Sequence, residues 1–391
     1  MGLRLSWCTS LCADSFPATA YEQLRQRVAD STPFNSLGWL RAAERALSGE
    51  QHLQVLLGFD GEHLCLCLPL IRSSERHGPL RFAVVRHLGY PLSDRIGLLI
   101  DAPPGAAVQV LREIRRRLPH ALLQLNEVTG NSPWLQQWAA RSSTHEQRTA
   151  CRVPVHQLSP ADRQEVSGDP RYKLRRARKR IAAAGAQVRR VTPDADSAAH
   201  WLQAVSAVEA VSWKGDDGVG IFSAEPQRQW VFQAFTALAG EGRLRLVVLE
   251  LDGRCISYRL GLLERGRLYD YNLAFMPHYA DLGSGRVLLQ EWIDWGLDDG
   301  WQWIDASRVS LENSSHQLHE RMTAQVEHLR CSFYSWRPQG LCLGLALRLW
   351  QPLKPWLKAR QRAALPAPAT THLPPPSVQE RQDAIPGHSQ R

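Results

Sequence analysis

The sequence predicts an α/β protein built from two copies of one unit. The first observation is a pair of similar segments, VLLGFDGEHLCLCLPL from Val55 and VVLELDGRCISYRLGL from Val247, which align without a gap. Each reads as two strands joined by a turn, and the pairs Asp60-Gly61 and Asp252-Gly253 suit a two-residue hairpin loop with positive φ. The second observation is that a helix-like stretch precedes each hairpin, and that strand-like sequence, a helix and a final strand follow it. The same order of elements twice indicates a duplication.

The first copy contains two stretches with helical apolar spacing, SLGWLRAAERAL from Ser36 and GAAVQVLREIRRRL from Gly105, and a strand-like stretch, ALLQLNEV from Ala121. Proline and polar residues gather in VHQLSPADRQEVSGDP, which is typical of a linker. We therefore predict a first domain over 1–160.

The second copy begins with AAHWLQAVSAVEAVSW from Ala198 and ends with GRVLLQEWIDWGL from Gly285 and the strand-like WQWIDAS from Trp301. In the stretch from Gly285 the apolar residues Leu288, Trp292 and Trp295 recur at i, i+4 and i+7, which predicts a helix. Gly300 is a stop signal for this helix. These elements predict a second domain over 161–338.

The bulk composition favours an acidic partner and a reducing compartment. The 391 residues carry a formal charge of +9, which suits a phosphate-rich cofactor, nucleic acid or an anionic membrane, although coding bias toward arginine would also produce it. The eight cysteines form no zinc-binding spacing, so we expect no metal and reduced thiols. The N-terminus is a poor signal peptide and no stretch approaches the ~20 apolar residues of a membrane span. We therefore expect a cytoplasmic protein.

Two basic segments flank the second domain. Seven basic residues and no acidic one lie between Arg171 and Arg180, in a predicted helix that ends at Gly185. This helix is either a solvated face between domains or a phosphate-facing surface, and the lack of interleaved aromatic residues argues against nucleic acid. The stretch over 339–362 is apolar and then basic, and we expect a helix that lies on an anionic membrane or caps the domain core. The Pro-rich stretch 363–391 predicts disorder.

The segment from Arg265 to Ser307 reads strand, loop, helix, strand. Simple alternation places one set of strand residues on one face, namely Tyr269, Tyr271, Leu273 and Phe275, and Asp270 and Asn272 on the other. At Gly283-Ser284-Gly285 the backbone N–H groups can approach a phosphate, the helix dipole favours negative charge by ~0.3–1 kcal/mol, and Arg286 adds a cation. A tight turn with a serine cap is the alternative. The first copy has only APPGAA at this place, so the second is expected to bind a phosphorylated cofactor.

The second half resembles the CelD/BioF-like acetyltransferase branch of the GNAT superfamily, a relative of the FemABX transferases. The resemblance lies in KLRRARKRIAAAG, VEAVSWKG, GRLRLVVLELDGRCISYRLGLL, the Tyr279-Ala280 pair, GSGRVLL and DDGWQWIDAS. The first half shows a looser pattern in PFNSLGWLRAA, LPL and GYPLSDRIGLLI, and the whole resemblance covers about 30–335.

The resemblance implies tandem GNAT-like domains, each a mostly antiparallel mixed sheet flanked by helices, with a degenerate first copy. It implies acetyl-CoA or another acyl-CoA as co-substrate and no metal. The implied cofactor-binding residues are Leu273, Phe275, Gly283, Ser284, Gly285 and Arg286. The chain departs from the family pattern at Met276 and Ala280.

Three residues are candidates for catalysis in direct attack of an amine on the thioester. Lys214 matches the family's Trp-Lys pair and would neutralise an acceptor anion or an oxyanion, although a helix C-terminus also favours a cation there. Asp270 would orient or deprotonate the amine, or is a surface strand residue. Asp305 would project from the end of the next strand, or caps the following turn.

These observations predict an acyl-CoA-dependent N-acyltransferase that acts on an amine acceptor, such as an amino sugar or a polysaccharide or cell-envelope precursor. One alternative is a FemABX-like transferase that takes its group from aminoacyl-tRNA, the case in which nucleic acid would be a partner. Another is a non-catalytic partner of a polysaccharide synthase, peripheral at the inner membrane through the basic helix.

Overall fold

A single mixed sheet of 13 strands runs through the described part of the chain. The computed structural model describes residues 2–77, 80–129, 132–164, 167–306 and 322–364. The strands are β1 (Arg4–Cys8), β2 (His52–Asp60), β3 (His63–His77), β4 (Leu80–His87), β5 (Leu99–Ile100), β6 (Leu122–Thr129), β7 (Thr144–Gln157), β8 (Gln187–Val191), β9 (Leu244–Leu251), β10 (Arg254–Glu264), β11 (Arg267–Phe275), β12 (Trp303–Asp305) and β13 (Ala324–Tyr334).

Helices cover this sheet in both halves. They are α1 (Ala18–Arg27), α2 (Leu37–Arg45), α3 (Ala107–Arg117), α4 (Pro133–Ala140), α5 (Gly168–Ala183), α6 (Ala198–Ala210), α7 (Trp213–Asp216), α8 (Gln227–Gly240) and α9 (Ser284–Asp298). A further helix, α10 (Pro338–Ala364), follows β13 in the chain. Most neighbouring strands are antiparallel, so the predicted fold class is confirmed. Most of the predicted tail over 363–391 lies outside the described residues.

Both predicted hairpins are present. Between β9 and β10 the loop is Asp252-Gly253, with φ of 49° and 74°. Between β2 and β3 the prediction is wrong by one residue, because Asp60 still pairs with His63 and the loop is therefore Gly61-Glu62. Both hairpins thus use a two-residue loop, but only the second places an Asp-Gly pair in it.

The duplication extends to the strands that follow each hairpin. In the first half, Val84–Arg86 of β4 pairs in parallel with Leu122–Gln124 of β6. In the second half, Arg267–Tyr269 of β11 pairs in parallel with Trp303–Asp305 of β12. Parallel neighbours need a long crossover connection, which α3 and α9 supply in the two halves.

The two halves exchange strands at the centre of the sheet. The strand order is β1-β2-β3-β4-β6-β13-β7-β12-β11-β10-β9-β8, so β13 from the second half lies between β6 and β7 of the first. Strand β7, in turn, pairs with β12 of the second half. The described residues up to Gly344 form one compact unit, and those from Leu345 to Ala364 belong to a second. The predicted boundary near residue 160 follows the end of β7 and stays a prediction.

The helices of the two halves also pack together. Helix α2 packs against α8, and the fully buried Trp39 lies 5.8 Å from Phe235 and 5.8 Å from Tyr271, measured between ring centroids. The indole Nε1 of Trp39 donates to Ser93 Oγ at 2.7 Å. An aromatic cluster of this kind buries a large apolar area and joins the first half to the face of β11.

A fragment of residues 1–160 is expected not to fold on its own. Without β13, strands β6 and β7 lose the strand that lies between them and expose unpaired edges. Circular dichroism and urea titration should show no cooperative transition for this fragment, whereas a fragment of residues 1–344 should unfold cooperatively. Cooperative unfolding of 1–160 alone would contradict the account of the exchanged strands.

Candidate functional site

The parallel pair β11 and β12 separates after three residues. Pairing ends at Tyr269 and Asp305, and the next residue, Ala306, donates its N–H to Pro154 O of β7 at 2.9 Å. The remainder of β11, Asp270–Phe275, has β10 on one side and no paired strand on the other among the residues that the structure describes. The edge of β11 over Asp270–Phe275 therefore has no paired strand among the described residues, and we call the region beside this edge the opening.

A β-bulge lies at the start of this opening. The register between β10 and β11 shifts so that Asn272 is opposite Leu260 while Asp270 is opposite Gly261, which leaves Tyr271 without a partner in the ladder. The extra residue turns Asp270 and Asn272 to opposite faces of the sheet, so the predicted alternation along this strand is wrong. Bulges of this kind re-aim side chains and are over-represented beside active sites.

Asp270 lies under α9 rather than on an open face. Its side chain is fully buried, and Arg259 of β10 donates to its Oδ2 from Nε, at 2.7 Å, and from Nη2. Burial raises the pKa of the Asp270 carboxyl above its ordinary value, and Arg259 opposes that shift. Arg259 Nη1 also approaches Gly285 O at 3.5 Å, so the ion pair joins β10, β11 and the first turn of α9. The catalytic role of Asp270 stays a prediction.

The first turn of α9 follows β11 after a short 3₁₀ turn, Pro277–Leu282. Gly283 caps this helix in the left-handed region, at φ 68°, which a residue with a side chain rarely adopts. Ser284 Oγ donates to Ser257 Oγ of β10 at 2.8 Å, which holds the turn on the sheet. The first N–H groups of an α-helix have no intrahelical acceptor, so those of Ser284 and Gly285 are suited to an anion.

The predicted cofactor residues therefore lie along one strand, turn and helix. Leu273 and Phe275 are half-buried and pair with β10 opposite Arg259 and Ser257. Met276, where the sequence departs from the family pattern, is buried and donates its N–H to Ile256 O at 2.9 Å. Their contact with a cofactor stays a prediction.

Lys214 does not end the helix that precedes the second hairpin. Helix α6 ends at Ala210, Lys214 lies in the four-residue α7, and α8 comes between α7 and the hairpin. Its Nζ donates to Asn272 Oδ1 at the bulge and lies 4.0 Å from Glu209 Oε2. The predicted cation is thus placed against β11 beside the opening, with its side chain 17% exposed.

Glu209, near the end of α6, is the residue that sequence reasoning missed. Its buried carboxylate accepts from Phe222 N at 2.8 Å and from Asn272 Nδ2 at 2.7 Å. A side chain at Gly220 would clash with Glu209 Oε1, so the loop closes tightly over this carboxylate. The only available signal was an acidic residue inside the apolar stretch VSAVEAV, within the VEAVSWKG segment.

The surface around Lys214 combines exposed apolar side chains with the exposed carboxylates of Asp216 and Asp217. Val211, Trp213 and Val219 are each about half exposed or more, and Lys214 Nζ lies 5.9 Å from the centroid of the Trp213 ring.

Asp305 ends β12 at the point where the opening begins, and its partner comes from the first half. Arg95 Nε donates to Asp305 Oδ2 at 2.6 Å and Nη2 donates to Oδ1, with both side chains buried. Three residues before Arg95, Leu92 O accepts from Tyr271 Oη at 2.7 Å. The first half thus supplies the inner end of the opening, and the catalytic role of Asp305 stays a prediction.

Within the described residues, no group of three or more His, Cys, Asp or Glu side chains is placed to hold a metal ion.

Replacing Glu209 with alanine should disorder the loop that Glu209 holds through Phe222 N. The change leaves Phe222 N and Asn272 Nδ2 without their acceptor, which costs about 1–3 kcal/mol for each buried polar group. We expect a lower unfolding free energy in urea and faster amide hydrogen exchange over residues 218–222. As a control, Glu327→Ala removes the exposed partner of Arg152 and should cost at most about 1 kcal/mol. Equal losses in the two variants would contradict the role given to Glu209.

Comparison with known proteins agrees with this geometry. Residues 168–335 match the family model described as "Acetyltransferase (GNAT) domain", a range that runs from α5 to the end of β13. No curated protein sequence matches the chain.

Three solved structures share the fold. A crystal structure of FemX has a TM-score of 0.58 and 10% sequence identity, over 82% of this chain and 96% of that one. A conserved protein of unknown function from Bacteroides thetaiotaomicron has a TM-score of 0.51 and 9% sequence identity, over 81% of this chain and 97% of that one. The C-terminal domain of a putative lysylphosphatidylglycerol synthetase from Agrobacterium fabrum has a TM-score of 0.50 and 12% sequence identity, over 83% of this chain and 94% of that one. The chain therefore has a GNAT-type fold, and residues 168–335 are similar to a GNAT acetyltransferase domain, while the narrower CelD/BioF-like relationship stays a prediction.

Proposed function

We propose that the protein is an acyl-CoA-dependent N-acyltransferase whose thioester lies in the opening between β11 and β12. The observation that carries this proposal is the combination of an unpaired strand edge, Asp270–Phe275, with a helix start at Gly283–Arg286 directly after it. The strand edge offers backbone hydrogen-bonding groups to an extended chain such as pantetheine. The match of this region to an acetyltransferase domain model supports the same proposal.

The start of α9 suits the pyrophosphate of such a cofactor. Ser284 and Gly285 supply N–H groups, Arg286 supplies a cation on the same turn, and the helix dipole adds to the attraction. Ser257 and Arg259 fix this turn on β10 from below. These residues position the anion and take no part in bond making.

In the proposed reaction the acceptor amine attacks the thioester carbonyl carbon, the C–S bond breaks, coenzyme A leaves as the thiolate, and this thiolate takes up the proton that the amine gives up. Positioning and stabilisation of the oxyanion supply most of the rate in such a transfer. Lys214 lies on the side of β11 that faces α6, where Asn272 holds its Nζ. We assign to it the binding of an acceptor anion or of the developing negative charge.

The two predicted carboxylates have a different part in this scheme. Asp270 holds Arg259 and Asp305 holds Arg95, so each is already engaged in a buried ion pair. Removing one partner of such a pair leaves a buried charge, which is strongly destabilising. We propose that both act by fixing the shape of the opening.

An amino sugar or a related cell-envelope precursor is the proposed acceptor. The exposed ring of Trp213 next to Lys214 supports this class, because the ring can cover an apolar sugar face while the lysine meets an anionic group.

A second candidate is a transferase that takes its group from aminoacyl-tRNA. One observation favours it: the basic helix α5 packs beside the start of α9, where Arg180 Nη1 donates to Asp281 O at 2.6 Å. Most other basic residues of α5 are exposed and could meet an RNA backbone.

A thermal-shift titration with acetyl-CoA tests the proposal. Binding at about 100 times the Kd stabilises the native state by about 2.7 kcal/mol and raises the Tm. In a Gly285→Glu variant this shift should disappear, since a carboxylate would repel the pyrophosphate, while glutamate in a first turn suits the helix itself.

Gly105→Glu is the matched control. Gly105 lies in open space in the turn before α3, the first-half counterpart of α9, and the variant should keep the full shift. An undiminished shift in Gly285→Glu would contradict the pyrophosphate site. Steeply salt-dependent tRNA binding, without any response to acetyl-CoA, would support the second candidate instead.

A further inference from the structure

The outer part of α10 exposes a row of large apolar side chains. Leu345, Leu349, Trp350 and Leu353 are each between 48% and 59% exposed. The three leucines are spaced at i, i+4 and i+8, so they follow one side of the helix. Water-soluble surfaces rarely carry such a contiguous apolar row unless it binds something.

The charge of α10 indicates what this row meets. From Pro338 to Ala364 the helix contains no Asp or Glu, and five basic residues lie in or after the apolar row, namely Arg348, Lys354, Lys358, Arg360 and Arg362. An apolar row followed by a basic stretch matches the interface of an anionic bilayer, where leucine enters the acyl boundary and lysine meets lipid phosphates.

We propose that α10 binds the surface of an anionic lipid bilayer. A nucleic acid would satisfy the basic residues but would leave the leucines in water, so the apolar row favours lipid. In the described part of the chain no helix is long and apolar enough to cross a membrane. This inference is independent of acyl transfer.

Sedimentation with vesicles tests it on the full chain. Wild type should bind vesicles of equal parts phosphatidylglycerol and phosphatidylcholine, and should bind phosphatidylcholine vesicles at least about tenfold more weakly, because the attraction of the basic residues to anionic headgroups is lost. The variant Leu345→Gln/Leu349→Gln/Leu353→Gln should lose about tenfold or more of its affinity for the anionic vesicles. Glutamine is a good helix former, so α10 should persist.

Two double variants distinguish the effect of the positive charge on α10 from the effect of the protein's net charge on vesicle binding. Lys354→Gln/Lys358→Gln should weaken binding about tenfold or more, whereas Arg112→Gln/Arg116→Gln, which removes two exposed charges from α3, should bind as wild type does. All variants should keep the wild-type Tm and its response to acetyl-CoA, so a failure here is distinct from a failure of the proposed function.

Three results would overturn the proposal. They are absence of wild-type binding to the anionic vesicles, equal binding to the neutral ones, and undiminished binding by the leucine variant. A fourth result would also overturn the proposal. If added RNA displaced the protein from the vesicles, and the leucine variant still bound that RNA, the helix would be assigned to nucleic acid instead.

Discussion

The position of β13 between β6 and β7 is the constraint on which the rest of this structure depends. Because each of these central strands pairs with a strand of the other half, neither half can complete its sheet alone. The same arrangement brings Arg95 of the first half to Asp305 at the end of β12. The inner end of the opening in the second half is therefore built by the first, which gives the duplicated copy a structural purpose even where it lacks a cofactor loop.

The two copies differ where their chains leave the sheet. In both, a parallel pair of strands holds together for three residues. After β4 the first copy continues through the segment that carries Leu92 and Arg95, and both of these residues contact the second copy. After β11 the second copy passes through the 3₁₀ turn Pro277–Leu282 and Gly283 into α9. One copy thus supports the opening and the other supplies the strand edge and helix start that suit a phosphorylated chain.

Local features of the fold were predictable because neighbouring residues determine them. The Asp252-Gly253 hairpin and the start of α9 after Gly283 follow from turn and cap chemistry. The strand exchange was not predictable, because pairing between distant segments leaves no local signal. The bulge at Tyr271 also has no sequence mark, and it places Asp270 and Asn272 on opposite faces of the sheet. The partners of the three predicted catalytic residues could not be found from spacing, because each comes from another element.

The most direct measurement is a crystal structure of the protein with acetyl-CoA. The account predicts the pyrophosphate on the N–H groups of Ser284 and Gly285, with the pantetheine chain along the Asp270–Phe275 edge of β11. It also predicts that the thioester lies on the side of β11 that faces α6, where Lys214 contacts Asn272. Acetyl-CoA bound in the first half, or at any place away from β11, would contradict the central claim that the opening beside this strand is the acyltransfer site.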